Sequence, residues 1–125
     1  MKARIALLGL VAVMVACGPG AKERALRTTL TGVNAARAAF VTWDGLAQDR
    51  IVEEATSLAS GQHELEQHRA KRAALVAAFE GAYFALAIAA TDRKDHDLAS
   101  AALAAAKLYA LYRALVGDDP PKESP

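Results

Sequence analysis

The chain has 125 residues, 54% of them hydrophobic, and it carries 15 Lys and Arg against 14 Asp and Glu, for a net charge of +1. This length suits one small domain. The balanced charge excludes the excess of Lys and Arg that is typical of a nucleic-acid-binding protein. The single cysteine, Cys17, excludes a framework of disulfides.

The first residues have the pattern of a secretory leader. Lys2 and Arg4 precede an apolar run, IALLGLVAVMVA, that is too short to cross a bilayer. An uncleaved anchor helix is disfavoured because Gly18-Pro19-Gly20 follows the run directly. The sequence therefore predicts a signal peptide over residues 1–16.

The end of this leader, Met14-Val15-Ala16-Cys17, resembles the lipobox of bacterial lipoproteins, whose usual form is Leu-(Ala/Ser)-(Gly/Ala)-Cys. The resemblance implies cleavage before Cys17 and covalent lipid, including palmitate-type acyl chains, on that cysteine. It also implies an outer-membrane location facing the periplasm, because Gly18 rather than Asp follows. The alternative is an ordinary cleavable signal peptide in which Cys17 is incidental.

The remainder is predicted to be all-α. It is rich in alanine, the best helix former, and has no proline from Ala21 to Val116. We expect an antiparallel three-helix bundle, up-down-up, on an N-terminal lipid-anchored helical stalk. The expected segments are a lipidated cysteine and stalk over residues 17–32, a bundle over 33–117 and a disordered tail over 118–125.

Turn signals set the expected helix bounds. The first helix is predicted to run from about Ala21 to Ala59 and to end at Ser60-Gly61. The second should run from about Gln62 to Ala90, and the third from near Asp95 to Val116, with Thr91 or Asp95 as its N-cap and Gly117 as its stop.

A fold-back at Gly61 predicts which side chains meet. It places Trp43 beside Phe79 and Phe40 beside Tyr83, as an aromatic layer in the middle of the bundle. It also ends the second helix opposite Val33, so the first turns after Ala21 lack a partner and form the stalk.

One histidine-rich stretch has a superficial likeness to a zinc site. His63 and His68 are five residues apart, about 140° around a helix, whereas two histidine ligands on one helix face stand four apart. Glu64 and His68 have the i, i+4 spacing, but no third ligand is evident. We therefore predict no metal site and no cofactor beyond the lipid on Cys17, and interpret the stretch as a solvated first turn.

A polar seam is the other candidate site. The fold-back places Glu54 opposite His68 and Arg72, which predicts either register-setting salt bridges or a small pocket for an anionic ligand. Asp44 is expected to contact Arg37, one heptad earlier.

Surplus apolar residues suggest an interaction surface. Phe84 and Ile88 stand one turn apart, away from the stripe that the bundle should bury, and Leu103 and Leu111 likewise lie off the stripe of the third helix. The alternative is that they are ordinary scattered surface residues.

The sequence favours a non-enzymatic envelope lipoprotein that acts as a protein-interaction or structural module. Its expected partners are the membrane, through the anchor, and a second copy or an envelope protein. The helical body resembles no named family. The alternative is a periplasmic helical module that binds a small ligand or a metal. Catalysis is not expected, because the chain has neither a plausible nucleophile-histidine-acid set nor a glycine-rich phosphate loop.

Overall fold

The computed structural model describes residues 20–117, which form three helices and no strand. Helix α1 spans Ala21–Glu54, α2 spans Leu58–Asp92 and α3 spans Asp95–Val116. The predicted helical class and the three helices are confirmed for these residues. The predicted leader, Cys17 and the predicted tail over 118–125 lie outside the described residues.

The first turn lies earlier than predicted. Helix α1 ends at Glu54, and Ser57 caps α2: its hydroxyl accepts from the Ser60 N–H, while the Ser60 hydroxyl accepts from the Ser57 N–H. This capping box fixes the start of α2. Gly61, expected to end the first helix, is instead buried inside the first turns of α2.

The earlier turn removes the predicted stalk from residues 21–32. Helices α1 and α2 have nearly equal lengths, 34 and 35 residues, so α2 returns to the level of Ala21. There the Lys22 ammonium lies 2.8 Å from the Asp95 carboxylate, and Arg93 pairs with Glu23. Three side chains in the first part of α1 are buried, namely those of Ala21, Ala25 and Thr29. The prediction of a stalk there is wrong because it rested on a turn placed at Gly61.

Helices α2 and α3 form the tightest part of the core. Their buried residues recur at alternating intervals of three and four, the spacing that keeps one helix face against a partner. About half of them are alanines, which let the two helix axes approach closely. The buried set comprises Leu75, Phe79, Ala82, Leu86 and Ala89 from α2, and Leu98, Ala101, Ala105 and Leu108 from α3.

Helix α1 closes the core with Val33 and Phe40. Gly32 of α1 faces the Tyr109 side chain of α3, and an added Cβ there would overlap the hydroxyl oxygen of Tyr109. The absence of a side chain at residue 32 is what admits the Tyr109 ring between the helices.

The second turn is short and polar. Arg93 adopts the left-handed conformation, with φ of 54°, and ends α2. Lys94, rather than Thr91 or Asp95, is the N-cap of α3, and its N–H donates to the Asp92 carboxylate over 3.2 Å. The bounds predicted for the third helix are confirmed.

Candidate functional site

A polar cluster joins α1 to α2 around Asp44. The His68 ring donates through Nε2–H to Asp44 Oδ1 over 2.6 Å, and Arg72 Nε–H donates to Asp44 Oδ2 over 3.0 Å. Gln48 donates to Oδ1, also over 3.0 Å. His68 is only 5% exposed, so this acceptor is what allows an imidazole inside the bundle.

The same donors control the charge of Asp44. Burial alone would raise the pKa of this carboxyl, but hydrogen bonds from His68, Gln48 and Arg72 outweigh it and hold the pKa below its ordinary value. Asp44 is therefore ionised at neutral pH and accepts only, which fixes the proton on His68 Nε2. Both carboxylate oxygens are engaged within the cluster.

Aromatic rings cover one side of the cluster. Trp43 lies against the His68 ring with centroids 4.7 Å apart, and Phe40 lies against Phe79 at 5.4 Å. The predicted mid-bundle aromatic layer exists, but its predicted pairs are wrong by more than a helical turn. Tyr83, expected beside Phe40, donates its hydroxyl to Asn34.

The predicted seam of Glu54, His68 and Arg72 is only partly assembled. His68 and Arg72 do share a partner, but it is Asp44, while Glu54 is the exposed last residue of α1 and makes no side-chain contact with either. The reason is again the turn at residues 55–57, which brings the middle of α1 rather than its end to the level of His68. Asp44 correspondingly binds residues of α2 instead of Arg37.

The histidine-rich stretch separates in space. His63 is exposed and bonds Gln67, whereas His68 points into the bundle. In the part of the chain from residue 20 to 117, no group of three or more His, Cys, Asp or Glu side chains is arranged to hold a metal ion.

The predicted interaction surface divides into exposed and packed members. Phe84 is 69% exposed, Leu103 55% and Ile88 38%. Leu111 is half-buried and packs against the core, so its assignment to the surface is wrong. Leu111 lies one helical turn after the fully buried Leu108 and thus at the edge of the buried seam, not on the outside of α3.

Exposed apolar and small residues lie together on one side of α2. We call the side of α2 away from the core its outer face; it consists of Ala70, Ala73, Ala74, Ala77, Glu80, Gly81, Phe84, Ala87 and Ile88, all of them exposed. Both α2 and α3 are long and apolar enough to cross a membrane, judged by length and composition alone. Each helix has one most apolar stretch of 18 residues. Of that stretch, 28% is buried in α2 and 17% is buried in α3. The bundle thus leaves much of the apolar surface of both helices uncovered.

A shallow groove of about 280 Å³ runs between α1 and α2 near the start of α1. Its walls are apolar at Leu26, Leu30 and Leu86, and charged side chains stand at its rim. It lies at the opposite end of the bundle from the Asp44 cluster, so the two do not form one site.

Comparison with known proteins adds no relative. No family model matches the chain, and neither a curated protein nor a solved structure matches it.

The sequence predicted a contact of Asp44 with Arg37, whereas the partners of Asp44 on the facing helix are His68 and Arg72. The useful signal was a carboxylate beside Trp43, on a helix stripe that is otherwise apolar, which requires a donor from a facing helix.

Proposed function

We propose that this protein is a bacterial envelope lipoprotein, tethered by lipid on Cys17, whose helical domain is a non-enzymatic interaction module. The observation that supports the interaction role is the outer face of α2, where Phe84 remains 69% exposed beside a run of exposed small residues. Large aromatic side chains left uncovered next to other apolar surface are typical of association sites.

The absence of a stalk over residues 21–32 matters for this proposal. Cys17 is only four residues before Ala21, and four extended residues reach at most about 14 Å. A lipid on Cys17 therefore holds the start of α1 close to the membrane. Phe84 is eight residues from the end of α2 at the same end of the bundle, or about 12 Å along the axis. The tether and Phe84 thus belong to one end of the domain.

The Asp44 cluster supports a structural rather than a catalytic use of the polar residues. A general base or a ligand-binding carboxylate needs a free oxygen, and both oxygens of Asp44 accept hydrogen bonds from the protein. The cluster instead fixes the register of α1 against α2, which holds the outer face of α2 in place.

The anchor is tested by metabolic labelling with palmitate in cells that express the full chain. The wild type should take up label and fractionate with the membrane, whereas Cys17→Ala should do neither. An unlabelled wild-type protein that is released as a soluble species would contradict the lipoprotein assignment.

The interaction role is tested by in-cell cross-linking of Phe84→Asp beside Val52→Asp. Val52 is 66% exposed but stands on α1, so it controls for the added charge. Cross-linked species should disappear in Phe84→Asp and persist in Val52→Asp, with both variants still folded. An unchanged cross-linking pattern in Phe84→Asp would remove the outer face from the proposal.

The groove at Leu26, Leu30 and Leu86 favours a second candidate, a module that binds a small amphipathic ligand. Arg27 and Glu23 at its rim would face the polar part of such a molecule. Mass spectrometry of the protein purified under native conditions tests it: a ligand lost in Leu30→Asp supports this candidate, and a ligand-free wild type opposes it.

A further inference from the structure

The outer face of α2 is divided into a small half and a large half. Residues seven apart on a helix differ by only about 20° in direction, so Ala70, Ala77 and Phe84 stand in one row. The neighbouring row, four residues on, is Ala74, Gly81 and Ile88. In both rows the small side chains come first along the chain and the large ones come last.

Such a face is complementary to itself when a second copy runs in the opposite direction. If the two-fold axis passes between Ala74 and Ala77, then Gly81 lies level with Ala70 of the second copy. The Phe84 ring, which leans toward the start of its helix, then covers that alanine. A two-fold pairing makes each such contact twice. A parallel pairing would instead bring Phe84 against Phe84 and hold the two alanine-rich halves apart.

The charges on one edge of this face favour the same direction. Glu80 is the only charged residue of the outer face, and Arg69 stands on the same edge 11 residues earlier. Within residues 20–117, neither side chain has a hydrogen bond or an ion pair. Antiparallel copies bring Glu80 to within about 3 Å, along the axis, of the level of Arg69 of the second copy. Parallel copies would leave Glu80 about 16 Å along the axis from Arg69 of the second copy, so the pair could not form.

We infer that this protein forms a symmetric antiparallel dimer through the outer face of α2, with Phe84 of each copy packed against Ala70 of the other. This deepens the proposed function, on which it rests, by naming the partner as a second copy. The lipid anchor also gives the dimer a preferred setting. The two α1 starts lie at opposite ends of the pair, so both tethers reach one membrane when the pair lies flat on it.

The contact area predicts a weak dimer in solution. With the axis between Ala74 and Ala77, residues 63–88 of the two copies face each other. They span about 39 Å of helix, and a strip about 10 Å wide covers roughly 400 Å² on each copy. A stable complex buries about 800 Å² on each partner. Tethering raises the effective concentration of the partner toward the millimolar range, where a contact of this size is populated.

Cysteine cross-linking in membranes tests the arrangement in the full chain with its native Cys17, so that the tether is kept. The proposed lipid occupies the sulfur of that residue, the only native cysteine. In the antiparallel dimer, two copies of Ala77→Cys stand about 5 Å apart along the axis, and two copies of Ala87→Cys about 35 Å apart. A short bis-maleimide should therefore join Ala77→Cys into dimers and leave Ala87→Cys monomeric. Both positions are exposed alanines of the outer face. Ala87 lies ten residues further along α2 and about 80° around it, at the edge of that face.

A second substitution identifies the contact. Adding Phe84→Ala to Ala77→Cys should lower the dimer yield about tenfold, because both copies lose a central aromatic contact. Adding Leu103→Ala, a change at another exposed apolar residue that lies on α3, should leave the yield unchanged.

Three results would overturn the inference: no cross-linking of Ala77→Cys, equal cross-linking of Ala87→Cys, or an equal loss of yield with Leu103→Ala. The proposed function fails separately. If the wild type is labelled with palmitate and the cross-linked species seen in cells disappears in Phe84→Asp, the lipid-anchored interaction module is supported. Its partner is then a protein other than a second copy in this arrangement.

Discussion

The two faces of α2 have similar compositions and different surroundings. The inner face alternates Leu, Phe and Ala and buries them against α3 and α1, from Leu75 to Ala89. The outer face over the same length is also apolar but remains exposed at Phe84 and Ile88. Composition therefore explains why α2 is a helix, while only packing separates the residues that hold the fold from those available to a partner.

The largest expected effect is on the inner face. Leu75 is fully buried, and Leu75→Ala should lower the free energy of unfolding by about 2–5 kcal/mol, because the deletion leaves a cavity. Urea denaturation at low protein concentration measures it. Phe84→Ala is the matched control on the outer face and should change stability by less than about 0.5 kcal/mol. Equal losses would show that Phe84 is a core residue and would abolish the distinction between the faces.

The next effect concerns the one buried imidazole of the inner face. Asp44→Ala removes the acceptor of His68 and should lower the free energy of unfolding by about 1–3 kcal/mol. Asp49→Ala, an exposed carboxylate on the same helix, serves as the control and should have little effect. If both variants are equally stable, the cluster does not fix the register.

The decrease of the unfolding free energy at acidic pH should depend on Asp44. Its folded-state pKa is lowered, so the stability that it contributes is complete above the unfolded-state pKa of about 3.9 and is lost as pH falls through the folded-state value. The difference in unfolding free energy between wild type and Asp44→Asn should be constant from about pH 5 to 7 and shrink below about pH 4. A difference that grows with acidity would mean that the folded-state pKa is raised instead.

The smallest effect compares two glycines of α2. A Cβ at Gly81, on the outer face, meets nothing within 4 Å, so Gly81→Ala should stabilise the monomer by about 0.5–1 kcal/mol through helix propensity. A Cβ at Gly61, on the inner side, would stand 3.0 Å from the Cβ of Ala55. Gly61→Ala should therefore lose that gain. Thermal unfolding of both variants measures the contrast. Equal gains in unfolding free energy would show that the loop at Ala55 moves away from the added Cβ without cost.

The sequence predicted the helical class, the start of α1 and the third helix, because alanine content and Gly117 are strong local signals. It placed the first turn wrongly because Gly61 looked like a helix stop. The deciding feature was the Ser57–Ser60 capping box, a weaker pattern than one that ends in Glu. Gly61 serves instead as a close contact for Ala55.

The error in the first turn produced the errors in the side-chain pairs between α1 and α2 and in the stalk. A shift of the fold-back by about five residues slides α2 along α1, which moved His68 from the level of Glu54 to that of Asp44 and covered the expected stalk. Side-chain pairs between helices depend on the turn in this way, whereas exposure on an outer face depends only on position around one helix. The exposure of Phe84 and Ile88 was accordingly predictable, and the partners of His68 were not.

The dependence of the unfolding midpoint on protein concentration tests most directly whether the outer face is an association surface. A dimer linked to folding raises the midpoint as concentration rises. We expect wild type and Phe84→Asp to unfold at the same temperature when dilute, and only the wild type to become more stable when concentrated. A wild-type midpoint independent of concentration, or a Phe84→Asp variant already less stable when dilute, would contradict it.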